Sequence, residues 1–368
     1  MKKNCFVIGM LLLIIVMHGR LVAQQEKLQI EKKLRKSTIK AFPYVFYTPE
    51  TELAFGVGGI FTFYTARDSI LRPSKLTLSG YYSTNDQYKI TLVPQVYFAE
   101  NRWLVTTPTD FGRYVDRFYG IGNDTPDLGN EEYISKAFSM RLEVQMPPFL
   151  MKTDRTGFIY SFMNNTVTDT LQNPYLTSGS VIGAEGGITS GLGFSWVWDT
   201  RDSEFFPNSG GLSQLRFIWH SKVFGSDFNF TSFEAFLRRY WAHKPDKVIA
   251  FELYGNFAVN EVPFYQLPAL GGQNRMRGYF LGRFRDRTYF ATQIEYRSYF
   301  WWRFGFVAFA GVGEVAPRLG DWRIKDFKYT YGVGLRFKFN QTEKVNIRVD
   351  YGRGKGTSGV YFGLEEAF

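Results

Sequence analysis

Residues 270–287, LGGQNRMRGYFLGRFRDR, place five arginines and four glycines in eighteen positions. Guanidinium groups on a backbone that glycine allows to turn sharply suit the gripping of an anion. That anion is a phosphate, a lipid headgroup or a carboxylate of the chain itself. Other chemistry has little support. Cys5 is the only cysteine and precedes an apolar run, so no disulfide, thiol nucleophile or cysteine metal site is expected. His220 and His243 fall on segments far apart, which does not suit a metal centre. Ser221 follows His220 directly, so in an extended strand the two point to opposite faces and do not pair as nucleophile and base. His243, with Lys244 and Pro245, reads as a turn. Gly332-Val333-Gly334 and Gly56-Val57-Gly58-Gly59 lie in strand patterns and suit close packing better than phosphate binding. No enzyme, cofactor or metal site is expected.

The segments that must position these arginines alternate with period two. In FKYTYGVGLRFKF one face carries Phe327, Tyr329, Tyr331, Val333, Leu335, Phe337 and Phe339, and the other Lys328, Thr330, Gly332, Gly334, Arg336 and Lys338. VNIRVDY sets Val345, Ile347, Val349 and Tyr351 against Asn346, Arg348 and Asp350. Segments 134–146 and 191–199 repeat the pattern. A soluble sandwich would alternate too, but over shorter strands. Strands of ten or more residues, aromatics at 18% of the chain, and pairs such as Trp301-Trp302 and Tyr240-Trp241 near strand ends fit a lipid-facing band with aromatic girdles and a polar lumen. Lipid cannot satisfy an open sheet edge, so the sheet must close. This separation puts aromatics on lipid and basic groups inside, which argues against nucleic acid.

The expected fold is therefore an all-β, transmembrane antiparallel β-barrel of about 16 strands, running from a short 42–48 to 359–368. Pro43 makes the first strand the weakest, with fourteen strands as the alternative. Placing the carboxy terminus in the periplasm puts short links such as 340–343 and 242–246 on that side and the long connections 115–132, 167–187, 260–286 and 316–326 outside. Lys2, Lys3 and the apolar run from Cys5 to Met17 read as a signal peptide over 1–23. Its removal takes Lys2, Lys3 and Arg20 and no acid, so the formal charge falls from +10 to +7, which suits anionic partners such as outer-membrane lipids and lipopolysaccharide. Residues 24–41 read as a short basic periplasmic segment, and 42–368 as the barrel. The end, GVYFGLEEAF, places Val360, Phe362, Leu364 and Phe368 on alternate positions and resembles the assembly signal of outer-membrane barrels.

With 260–286 placed as the longest external connection, the sequence resembles the bacterial surface-antigen superfamily, the barrels of the barrel-assembly insertase and of two-partner secretion transporters. The resemblance rests on three stretches in order, together with terminal Phe368. The first is Asp199-Thr200-Arg201-Asp202 with Pro207, Gly210 and Gly211 at a periplasmic turn. The second is Leu270-Gly271-Gly272 followed by Arg277-Gly278-Tyr279, and the third is TQIEYRSYF leading into GFVAFAGVGEV. It implies that the long loop folds into the lumen, with Arg277, Gly278 and Tyr279 at its tip. A buried arginine needs an acceptor. Strand alternation turns Gln293, Glu295 and Arg297 inward, so Glu295 is the expected bidentate partner of Arg277, with Arg283, Arg285 and Arg287 left for lipid or the lumen wall. The alternative is a solvated basic loop lying on lipopolysaccharide phosphates. Two departures stand out. There is no room for the periplasmic polypeptide-transport-associated domains, and Phe309-Ala310-Gly311 lacks the acid the family often carries there. The resemblance implies assembly or translocation of proteins, or of lipids, at the outer membrane through a weak first-to-last strand seam that templates an incoming strand. Unfolded outer-membrane proteins or a separate periplasmic protein are then the partners. The rival reading is a passive channel or structural barrel with a loop-plugged pore.

Overall fold

The computed structural model describes residues 37–65, 72–148, 154–203, 206–244, 246–340, 345–364 and 366–368. The expected signal peptide and most of the basic segment after it lie outside the described residues. The strands are β1 (Thr38–Thr48), β2 (Glu52–Phe63), β3 (Ser74–Ser83), β4 (Tyr88–Phe98), β5 (Trp103–Thr106), β6 (Thr109–Arg117), β7 (Glu132–Met146), β8 (Arg155–Asp169), β9 (Gly186–Asp199) and β10 (Ser209–His220). They continue with β11 (Phe230–Lys244), β12 (Lys247–Asn260), β13 (Ala269–Leu270), β14 (Phe284–Arg285), β15 (Thr288–Trp301), β16 (Phe304–Ala316), β17 (Lys328–Asn340), β18 (Val345–Gly354) and β19 (Thr357–Leu364). Both β5 and β6 pair with β4 and with β7, so they are two halves of one broken strand. β13 and β14 form a separate two-stranded sheet inside the long connection. The remainder is a closed antiparallel barrel of sixteen strands.

Burial along the strands is inverted relative to a water-soluble protein. Tyr331, Val333 and Leu335 of β17 are 51%, 59% and 64% exposed, whereas Thr330 and Arg336 on its other face are 3% and 2% exposed. β18 buries Asn346, Arg348 and Asp350 and exposes Val349 and Tyr351. An apolar outer band around a buried polar face requires lipid outside, and closure satisfies the edges. Among the described residues no helix is long and apolar enough to cross a membrane, and the spans are strands.

Several expectations need correction. β1 is not short. It begins at Thr38, within the stretch expected to be a tail, and pairs with β2 over eleven residues, Pro43 opposite Val57. Its other edge is the weak one, because the register with β19 holds a single pair, Tyr47 opposite Phe362. β19 stops at Leu364, so Phe368 does not continue the lipid-facing alternation. His243 lies within β11 beside the Tyr296 ring, not in a turn. Trp241, Trp301 and Trp302 are exposed as a girdle requires, but Tyr240 is buried. Adjacent strand residues face opposite ways, so Tyr240 and Trp241 cannot both reach lipid.

At the end bearing the long connections, Phe118, Leu176, Phe230, Val262, Phe264 and Leu267 pack into one buried apolar cluster. Asn173 ties it together by donating from Nδ2 to the Phe118 carbonyl at 3.1 Å. These loops are a folded layer with its own core.

Candidate functional site

The connection between β12 and β15 carries the arginine-rich stretch, and β13 pairing with β14 closes its neck. Beyond that neck the tip meets the polar face of the wall. Arg277 is fully buried. Its Nη1 donates to Asp350 Oδ2 at 2.7 Å and its Nη2 to Glu295 Oε1. The guanidinium stacks 3.5 Å over the Phe309 ring, and the Thr330 hydroxyl donates to the Arg277 carbonyl. The geometry is a bridge between two acids on different strands, not the expected bidentate pair with Glu295 alone. Phe309, which stands where an acid was missing, supplies a cation–π face. An arginine side chain does not deprotonate in a protein, so the group is a permanent cation held between Glu295 and Asp350.

Glu295 also accepts from Arg297 Nε at 3.0 Å. Asp350 is contacted by Arg336 and, at 3.5 Å, by Arg348. Each acid thus serves both the loop and the wall.

Gly278 has φ +107, a left-handed conformation that favours glycine. Its N–H donates to the Tyr361 hydroxyl of β19 at 2.9 Å, and its carbonyl accepts from Thr357 Oγ1 at 2.9 Å. The Tyr279 hydroxyl accepts from the Lys355 N–H at 2.9 Å. Leu281 N–H donates at 2.7 Å to Glu50, in the turn joining β1 to β2. The loop tip therefore holds both sides of the junction between the first and last strands.

A second anchor carried no flag in the sequence. Arg275 donates to Glu252 of β12 through Nε at 3.1 Å and Nη2 at 2.7 Å, and its guanidinium lies 3.7 Å over Tyr254. Glu252 is 1% exposed and also accepts from Arg238 and Gln293. The available signals were the i, i+2 spacing of Arg275 and Arg277 and the inward parity of Glu252 and Asp350 on their strands. Of the remaining arginines, Arg283 donates to the Thr125 carbonyl at 2.8 Å and Arg285 pairs with Asp116 of β6 at 3.3 Å, so both hold protein rather than lipid. Arg287 is exposed.

Glycines on the wall make this approach possible. A Cβ on Gly352 would lie 2.6 Å from the Arg277 carbonyl carbon and oxygen. Gly352→Ala is therefore expected to push the tip off the wall and destabilise the barrel by about 1–3 kcal/mol, the usual cost of overpacking. The midpoint of heat-modifiable gel migration checks this, and an unchanged midpoint would show that the tip does not bear on Gly352.

The turn motif forms a separate site. Arg201 grips Asp199 through Nε at 2.9 Å and Nη2 at 2.8 Å. Asp202 accepts from the Asn208 and Ser209 N–H groups at 2.8 and 3.2 Å. Pro207 is buried, and Gly210 has φ +83, with a Cβ there colliding with the Thr200 carbonyl. These residues shape the connection from β9 to β10. His220 stacks on Phe230 at 4.1 Å, and Ser221 caps a short 3-10 turn by accepting from the Val223 N–H at 3.3 Å. Among the described residues no group of acids, histidines or cysteines could hold a metal ion.

A closed sixteen-stranded barrel with an apolar outside and a charged, glycine-lined inside defines a transmembrane β-barrel of an outer membrane. The profile of the Omp85 superfamily domain, the surface-antigen superfamily, matches residues 72–368, and the chain belongs to that superfamily. The structure is similar to that of BamA from Haemophilus ducreyi lacking POTRA domains 1-3, at 14% identity with a TM-score of 0.62 over 90% of this chain and 70% of that one. It is also similar to CdiB from Acinetobacter baumannii, at 12% identity with a TM-score of 0.56 over 90% of this chain and 59% of that one. Both likenesses show the fold, and the chain spans less than two thirds of the CdiB chain. Among curated proteins none matches the sequence.

Proposed function

We propose that this barrel assembles or translocates proteins at the outer membrane through the junction of β1 and β19, with the loop carrying Arg277, Gly278 and Tyr279 folded into the lumen as its lock. The observation that carries this reading is the mismatch at that junction. β1 and β19 share one registered pair, whereas β1 and β2 share eleven and β18 and β19 share eight. Unpaired strand edge is a template for β-augmentation by an incoming strand. An open groove lined by Tyr47, Pro49, Ser358, Gly359 and Val360 runs beside the pair. The hydrogen bonds from the loop tip to Tyr361 and Glu50 hold a junction that strand pairing scarcely holds. The partners are unfolded outer-membrane proteins, with lipid and lipopolysaccharide as the surrounding phase.

The test is reconstitution. Purified protein in liposomes is expected to speed insertion of an unfolded outer-membrane barrel while showing little steady conductance. Large, stable open channels with no effect on insertion would overturn the proposal in favour of a passive channel.

A further inference from the structure

The connection from β16 to β17, residues 317–327, folds back over the outer face of the wall. Two short 3-10 turns, Leu319–Asp321 and Ile324–Asp326, shape it. Between them the Trp322 ring lies 5.3 Å from the ring of Phe290 on β15 and 6.1 Å from that of Phe257 on β12. Both rings share the lipid-facing side of their strands with exposed residues, Phe290 with Ile294 and Phe257 with Leu253 and Val259. Polar contacts pin the strap in place. Trp322 Nε1 donates to Thr288 Oγ1 at 3.0 Å, the Arg323 N–H to the Glu314 carboxylate at 3.3 Å, and Asn123 Nδ2 to the Asp326 carbonyl at 2.8 Å. What the strap leaves outward is both apolar and basic. Ile324 is 93% exposed, the highest value among the large apolar side chains described, and Leu319 is 58% exposed. Arg318, Arg323 and Lys325 are exposed beside them, and none is in an ion pair among the described residues. The one exposed acid of the strap is Asp321.

We propose that this strap is a binding site for a phosphorylated lipid of the outer leaflet, with the acyl chains along Leu319 and Ile324 and the headgroup phosphate between Arg318, Arg323 and Lys325. Water expels exposed isoleucine and leucine side chains, whereas the edge of a leaflet takes them in. A tryptophan laid on the wall at the membrane boundary fixes the depth of the segment. Cations next to those apolar groups then stand at headgroup level, their long stems against hydrocarbon and their charges against phosphate. The guanidinium forks of Arg318 and Arg323 suit paired phosphate oxygens, and the Lys325 ammonium adds a point charge. Apolar and basic residues alternate within a few positions on one anchored segment, so a ligand must offer hydrocarbon and anion together. A free phosphate offers only the second. The site follows from the barrel's place in the outer membrane and does not depend on its assembling proteins.

The test measures, by native mass spectrometry, how much diphosphorylated lipid A the full-length protein retains when folded in detergent micelles. Wild type is expected to retain it, and to retain dephosphorylated lipid A at least about tenfold more weakly. An excess of inorganic phosphate is expected to leave the bound lipid in place. Arg318→Gln with Arg323→Gln and Lys325→Gln is expected to lose the same factor. Lys222→Gln with Arg287→Gln and Lys355→Gln removes exposed cations from other connections at the same end and is expected to bind as wild type does. In wild type, which needs no variant to fold, lipid A with a benzophenone on an acyl chain is expected to crosslink to segment 317–327. Equal retention of the two lipids, equal losses in the two triple variants, displacement by inorganic phosphate, or crosslinks spread around the wall would overturn the proposal. Binding is read without any insertion step, so failure in liposomes leaves this result standing, and failure here leaves the junction between β1 and β19 untouched.

Discussion

Neutralising Asp350 is expected to cost the barrel more than removing the arginine it holds. Asp350 is fully buried and is contacted by Arg277, Arg336 and Arg348. Asp350→Asn removes one of two acids from Arg277 and Arg336, which keep Glu295 and Glu366, and the one ion-pair partner Arg348 has among the described residues, and breaking a buried ionic network costs about 3–5 kcal/mol. Arg277→Ala removes one cation, but Glu295 keeps Arg297 and Asp350 keeps Arg336. Neither acid is left alone, so the expected loss is smaller, about 2–3 kcal/mol from vanished hydrogen bonds and the emptied space over Phe309. The two variants should also differ in kind. Arg277→Ala releases the loop, so proteolysis within 261–287 should rise more than global stability falls. Asp350→Asn weakens the wall formed by β17 and β18 as well, so the midpoint of heat-modifiable migration should fall further. Wild-type migration by Asp350→Asn, or a larger midpoint shift in Arg277→Ala, would show that the network is not centred on Asp350.

The second large effect is expected at the junction. In a Cys5→Ser background, the pair Tyr47→Cys and Phe362→Cys faces across the single registered position between β1 and β19. Opposed residues in an antiparallel pair bring their Cβ atoms within about 4.5–5.5 Å, close enough for a disulfide after a small adjustment. The oxidised barrel is expected to lose insertion activity on the order of tenfold or more, because a sealed edge cannot template a strand, and reduction should restore it. Val349→Cys with Phe362→Cys bridges β18 and β19, a junction with eight registered pairs, and should crosslink without loss. A Tyr47–Phe362 crosslink that leaves activity unchanged would remove lateral opening as the mechanism.

Much of this was legible in the sequence because period-two alternation is a local property. It reported which side chains face lipid, how many strands close the barrel, and that Glu295 and Arg297 share the inward face of β15. Arg277 was marked as the residue in need of an acceptor by the resemblance to the surface-antigen superfamily, not by the alternation. The alternation also put Asp350 among the inward residues of its strand, but did not say that it would face the loop.

What only the tertiary structure decided concerns partners distant in the chain. Arg277 and Asp350 are 73 residues apart, and that one guanidinium bridges Glu295 and Asp350 depends on how β15 and β18 are brought round the barrel. The Arg275–Glu252 anchor and the placement of Phe368 against β11 and β12 follow from the same closure. So does the junction itself: Pro43 marked the right strand, but the weakness lies in the pairing between β1 and β19, a register that neither strand encodes alone. A strand's own residues fix its faces. Which strand lies opposite, and at what offset, is fixed by the shear of the whole closed sheet.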